Sequence, residues 1–390
     1  MDAPTPNPPP AGTTPYDPAA PPDVPIRVIT RLVVVGENIQ LELPPEQERF
    51  TLGAASPPVV DLTVHGEMVS RLHAVLTRKG PKLRVVDQKS TNGTFYNDHR
   101  DPDFDLLPGQ VFEVSRRVKL LALDPGLAIL RNRLLWVVGL RNRAAADEAI
   151  QQIATNAPIL LLGPPGCEQH ATAAEIHRRS AFNDREFVLA PSSFASRGEQ
   201  IQILARGTRS NVFVDLTRST APLPAYFVEH LFGDCRPIIA APTRDRAFAA
   251  LDSYAHRLRA IELATPADRP DDIPRLLDAL ITEEHARAGG GGELLPITAL
   301  GTANVDALKA HPWPDHFVEL RAQAKRLHSV LTNGLRIRAS ARALGLKSPS
   351  SLLEALERIG VYLKHIDPDD APTTAERDDL PTPPGAPTQP

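Results

Sequence analysis

Residues 61–97 read DLTVHGEMVSRLHAVLTRKGPKLRVVDQKSTNGTFYN. Within them Ala74-Val75-Leu76-Thr77 and Lys82-Leu83-Arg84-Val85-Val86 are alternating segments of the kind that form strands. Three short signatures stand around these strands in a fixed order: Ser70-Arg71-Leu72-His73, then Asp87, then Ser90-Thr91-Asn92-Gly93-Thr94. Hydroxyl, amide and guanidinium groups are thereby gathered on loops beside a sheet. A phosphorylated side chain, with nearly two negative charges and three acceptor oxygens, is held by such donors converging from separate loops.

The spacing of these signatures resembles the forkhead-associated (FHA) family, β-sandwiches whose loops bind phosphothreonine. The resemblance covers roughly residues 26–125. It implies that Ser70 binds the phosphate, that Asn92 holds the peptide backbone with Thr91 beside it, and that His73 and Gly93 keep the loops in shape. Arg71 supplies a cation. Taken singly, Ser70 and Asn92 also read as turn-capping residues; taken together, they favour the binding role. One departure stands out. The family places arginine after the glycine of the first strand, and here Leu52-Gly53 is followed by Ala54. Losing a charge-assisted hydrogen bond of roughly 1.5–3 kcal/mol predicts weak phosphate recognition, or recognition rebuilt around Arg71.

A chain of 390 residues with 42% apolar content has the material for two to three packed domains. Its 40 prolines concentrate at the ends. Residues 1–25 and 366–390 cannot bury apolar surface and are expected to be disordered. Both carry threonines beside proline or acid, Thr5, Thr14, Thr373 and Thr382, which makes the chain's own phosphorylated tail one candidate ligand. A net charge of −4 limits any nucleic-acid contact to a local basic patch. Two distant cysteines, Cys167 and Cys235, fit a reducing compartment rather than a disulfide scaffold. No signal peptide or membrane span is expected, so the reading is cytoplasmic. No metal site or cofactor is expected either.

Farther along, a helix is expected from Arg141 to Thr155, and the apolar run Ile159-Leu160-Leu161-Leu162 reads as a buried strand. It enters Gly163-Pro164-Pro165-Gly166-Cys167-Glu168-Gln169-His170, and a helix follows over 171–179. Strand, glycine-rich turn and helix form the frame of a phosphate-binding loop. Asn211-Val212-Phe213-Val214-Asp215 and Arg236–Ala241 read as further strands, and the alternation implies a parallel sheet. These segments, with Arg269-Pro270-Asp271-Asp272-Ile273 and Trp313-Pro314, resemble the AAA+ core of sigma-54-dependent enhancer-binding proteins. The departures fall on catalytic positions. Gln169 replaces the phosphate-reaching lysine, Glu168 a glycine, Leu216 the glutamate after Asp215, Thr243 the sensor asparagine and Val318 the nucleotide-sensing arginine. Of the arginines that the family uses between subunits, Arg257 remains. The stretch between Ser193 and Asn211 is too short for the family's sigma-contacting loop. Hydrolysis depends on these groups together. The expectation is therefore a pseudo-ATPase with a vestigial loop (Gly163, Gly166, Gln169, Asp215) and no enzymatic activity.

From Leu335 the chain reads as helix, short turn, helix, with Ser348 capping the second helix and Leu352, Leu353, Leu356 and Ile359 on its apolar face. This resembles the Fis-like helix-turn-helix that closes enhancer-binding proteins. Arg336, Arg338, Arg342, Lys347, Ser350 and Ser351 are its candidate DNA contacts. The second helix is poor in donors, so a plain packing or dimerisation module remains the alternative. The expected fold class is multidomain: an all-β FHA sandwich (26–125), a degenerate α/β subdomain (134–268), a helical lid (269–333) and a helix-turn-helix (334–365). The expected function is that of a bacterial regulator that reads a phosphothreonine-bearing partner or its own tail, forms homo-oligomers and can meet DNA. The alternatives are a phosphorylation-dependent adaptor without DNA and, opposed by the substitutions, an active ATPase.

Overall fold

The computed structural model describes residues 28–291 and 293–363, and both expected tails lie outside the described residues. The first unit is a sandwich of β1 (Arg31–Val34), β2 (Gln40–Glu42), β3 (Arg49–Gly53), β4 (Leu62–Thr63), β5 (Ala74–Lys79), β6 (Lys82–Asp87), β7 (Thr94–Tyr96), β8 (His99–Arg100), β9 (Asp103–Leu106), β10 (Val111–Val114) and β11 (Val118–Leu123). One sheet runs β2-β1-β11-β10-β7-β8, the other β4-β3-β5-β6-β9. Period-2 alternation puts Phe104 and Leu106 of β9 in the core and Asp103 and Asp105 in solvent. Phe50, Leu76, Val85 and Phe112 fill the space between the sheets. Register brings the two loop signatures together. Ala74 pairs with both Leu52 and Asp87, so the end of β3, the start of β5 and the end of β6 meet at one rim.

Helix α1 (Pro125–Val138) leaves the sandwich directly, capped by Asp124, whose Oδ1 accepts from the Leu127 N–H at 2.7 Å. The sequence reading assigns residues 126–133 to no element, yet Leu127, Leu130, Leu134 and Val137 recur at helical spacing on the buried face of α1. Its Leu127, Leu130, Leu134 and Val137 share one core with Val33, Leu121 and Leu123 of the sandwich, with α2 (Arg143–Ala154), and with the sheet that follows. A buried ion pair fastens this joint. Arg131 Nε donates to Asp147 Oδ1 at 2.5 Å, and the Gly36 N–H of the sandwich donates to Asp147 Oδ2 at 2.9 Å.

The second unit has the expected parallel sheet. Its strands are β12 (Ile159–Leu162), β13 (Val188–Ala190), β14 (Asn211–Asp215), β15 (Arg236–Ala241) and β16 (Arg259–Glu262), in the order β13-β14-β15-β12-β16. Every residue of β12 and β15 is buried, as helices on both faces require. Those helices include α3 (Gln169–Arg179), α4 (Arg197–Gly207), α5 (Ala225–Asp234) and α6 (Arg244–Leu251). The last part of the described residues is helical: α7 (Ile273–Arg287), α8 (Thr302–Ala310), α9 (His316–Thr332), α10 (Ile337–Ala343) and α11 (Pro349–Glu357). One core runs without a break from Ile273 through Leu327 to Leu352, Leu356 and Val361, across the boundary expected at 333/334. Ser329 and Ser340 seal it, each hydroxyl donating to the other residue's carbonyl at 2.9 and 3.1 Å.

Candidate functional site

The loop after β4 and the loop after β6 meet over the end of β3. Ser70 is half-buried, and its Oγ accepts the Thr91 N–H at 3.1 Å. Asn92 Nδ2 donates to the Met68 carbonyl at 2.8 Å, a second tie between the same two loops. The structure therefore brings Ser70, Thr91 and Asn92 into one cluster at a rim of the sandwich, with exposed Arg71 next to Ser70 along the chain.

Beneath the cluster lies His73, fully buried. The Ser70 N–H can only donate, so His73 Nδ1 accepts it at 3.2 Å, and Nε2 carries the proton toward the Gly93 carbonyl, also at 3.2 Å. Burial pushes the imidazole below its ordinary value, against the opposing pull of the Gly93 carbonyl and of Asp87. Asp87 organises the other loop by accepting from the Ser90 N–H (2.7 Å), Ser90 Oγ (2.6 Å) and Thr94 Oγ1 (2.7 Å). Burial alone would raise its carboxyl, but these bonds and nearby His73 hold it below the usual carboxylate range.

Gly53 is required by close approach. A Cβ there would stand 2.2 Å from the Arg71 carbonyl oxygen, where the Ser70–His73 loop crosses the end of β3. The Ala54 N–H donates to the Ser70 carbonyl at 2.9 Å and the Ala55 N–H to the Arg71 carbonyl at 3.2 Å, so the backbone of this corner is tied to the site while Ala54 contributes no charge to it. Sequence reasoning missed the Met68 carbonyl as an Asn92 partner. No pattern announces a backbone acceptor 24 positions away.

In the second unit, Gly163–Glu168 form the turn between β12 and α3. Gln169 is buried, and its Nε2 donates to the carbonyls of Gly163 (3.0 Å) and Pro164 (2.6 Å), so the side chain closes the turn upon itself. The Gly166 carbonyl accepts from the Phe317 N–H at 3.1 Å, which seats the start of α9 on the turn. Asp215 is exposed, and its Oδ1 accepts from the N–H and Oγ1 of Thr217 at 2.8 and 2.6 Å. Thr243 caps α6 and Leu216 is buried. Arg257 lies over the rings of Phe232 and Tyr254 of its own chain.

At the C-terminal end Arg336, Arg338, Arg342, Lys347, Ser350 and Ser351 are all exposed on or beside α10 and α11. Ser348 caps α11 as expected, accepting from the Ser350 N–H at 3.1 Å. Leu352, Leu356 and Ile359 are buried, while Leu353 is only partly so. Among the described residues no group of three or more His, Cys, Asp or Glu is arranged to hold a metal, and no helix is long and apolar enough to cross a membrane.

Residues 50–115 match the family model of the FHA domain. The FHA match takes in every residue of the Ser70–Asn92 cluster. A curated relative, Protein FraH of Nostoc sp., is 34% identical over 88 residues, which is 21% of this chain and 29% of that protein; the chain thus spans under a third of the relative's length. Among solved structures, NtrX from Brucella abortus in complex with ATP is similar over 61% of this chain and 68% of that one, at 16% identity and a TM-score of 0.37. Mycobacterium tuberculosis EmbR in complex with a low-affinity phosphopeptide is similar over 25% of this chain and 24% of that one, at 18% identity and a TM-score of 0.22.

Proposed function

We propose that the chain is a phosphothreonine-dependent recognition protein whose α/β unit has no catalytic role. The observation that carries this reading is the convergence of Ser70, Thr91 and Asn92 from two loops within the FHA match, with Arg71 adjacent. The cluster offers a hydroxyl, a side-chain amide and a cation to a phosphate. The ligand is a phosphothreonine-bearing partner protein or the chain's own phosphorylated tail.

The α/β unit does not fit a nucleotide. Gln169 is engaged with the turn's carbonyls and Glu168 places a carboxylate where a triphosphate would need cations. Loss of the lysine, the glutamate and the sensor together supports a pseudo-ATPase serving as a scaffold. Exposed Arg336, Arg342 and Lys347 favour a second role, weak phosphate-backbone contact with DNA, over a purely adaptor function.

The deciding experiment is calorimetry of the full chain against a degenerate phosphothreonine peptide library and its unphosphorylated counterpart, including peptides around Thr373 and Thr382. Preference for the phosphorylated form, abolished by Ser70→Ala, is expected. Equal binding of both libraries overturns the reading. For the DNA role, titration with labelled duplex is expected to show steeply salt-dependent binding that Arg336→Ala, Arg342→Ala and Lys347→Ala together remove.

A further inference from the structure

Glu168 occupies an unusual place. It is a non-glycine residue at φ 65°, in left-handed backbone, immediately before α3, and its side chain makes no capping bond there. Its carboxylate is instead enclosed between two guanidinium groups on different elements. Arg133 of α1 donates to Oε2 at 2.5 Å, and Arg321 of α9 donates to Oε1 at 2.8 Å and Oε2 at 3.1 Å. Arg321 also reaches Glu283 of α7 at 3.2 Å. The Glu168 side chain is 9% exposed, against 20% for Arg133 and 35% for Arg321. Two planar guanidinium groups closing on one anion is the arrangement used to hold a phosphate.

We propose that the Glu168 carboxylate is a built-in anion standing in for a bound phosphate, and that it keeps the helical subdomain docked on the Gly163–Glu168 turn without any ligand. This inference rests on the reading that the α/β unit binds no nucleotide. Burial works to raise the Glu168 carboxyl, but the hydrogen bonds from Arg321 and Arg133 hold it below its usual range, so the anion persists at neutral pH. The Phe317–Gly166 backbone bond lies in the same contact. Together they join α1, the turn and α9 in one closed arrangement. Removing the carboxylate leaves two partly buried cations facing each other, which costs stability and creates an opening for a free anion.

The test uses the full chain, Glu168→Ala and the conservative Glu168→Gln, with inorganic phosphate as probe and sodium chloride at matched ionic strength as control. Both variants are expected to melt roughly 5 °C or more below wild type. Millimolar phosphate should restore about half of that loss in Glu168→Ala and leave wild type unmoved. Unchanged melting in both variants, or equal stabilisation of wild type and variants by phosphate, overturns the proposal. Should neither variant fold, Arg321→Gln keeps the Glu168–Arg133 pair. There, hydrogen exchange at the Phe317 amide should quicken about tenfold or more, and unchanged exchange again overturns the proposal. Binding of a fluorescent ATP analogue to wild type would instead strike the nucleotide-free reading, so the two failures are distinguishable.

Discussion

At the scale of single residues, the proposed site reads as a donor set with one member removed. Ser70 and Asn92 are held in place by the loops they join, and Ala54 is tied to the same corner, at the position where the resemblance to the FHA family implies an arginine. Ala54→Arg should therefore tighten phosphothreonine-peptide binding by about tenfold or more, as one regained charge-assisted bond implies. Calorimetry with a matched peptide pair reads the gain, and no gain would show that Arg71 already supplies the charge. His73 gives a pH dependence whose sign follows from its position. Burial keeps its folded-state value below the ordinary 6.5, so the unfolded chain binds the proton more readily. The stability contributed by neutral His73 is present above about 6.5 and is lost as pH falls through the folded value. Burial depresses His177 and His328 in the same direction, so the effects share a sign. The urea midpoint should drop between about pH 7 and pH 5, and His73→Gln should flatten part of that slope.

At the scale of elements, legibility tracks distance along the chain. Strands β5 and β6, the Ser70–His73 and Ser90–Thr94 loops and the Ser348 cap were all readable, because alternation and turn chemistry are local. The ties of the Gly163–Glu168 turn were not. Glu168 reads as a departure from a glycine, but its partners Arg133 and Arg321 lie 35 and 153 positions away, and no local pattern names them. Helix α1 is the opposite case: Leu127, Leu130, Leu134 and Val137 recur at helical spacing on one buried face, a signal that is local. The continuous core from α7 to α11 instead depends on Ile337 and Ala341 facing α9, whereas composition alone separates a lid from a basic tail. The crossing of β3 by the Ser70–His73 loop yields a prediction of its own. Gly53→Ala would drive a Cβ against the Arg71 carbonyl. It should cost about 1–3 kcal/mol in chemical denaturation and weaken phosphopeptide binding along with it. A variant of wild-type stability and affinity would show that the loop yields freely.

At the scale of the whole molecule, the FHA domain is not tethered by a loose linker. Val33, Leu121 and Leu123 share a core with α1, α2 and the parallel sheet, and the Arg131–Asp147 pair is 3% and 0% exposed. Asp147→Ala would leave the Arg131 guanidinium buried without its anion and should destabilise the protein by about 3–5 kcal/mol. Replacing both with apolar residues, as in Arg131→Met with Asp147→Leu, should recover most of that loss, and denaturation midpoints of the single and double variants decide the point. The seam has a further consequence for how a bound partner is presented. Tandem modules on flexible linkers let a captured partner sample a sphere, and the second encounter depends on linker length. Here α1 begins two residues after β11 ends, so a phosphopeptide bound at Ser70 as proposed would be carried as on a bracket, at a fixed bearing from the parallel sheet. The chain would then select partners by the span between two contact points as well as by the phosphate itself.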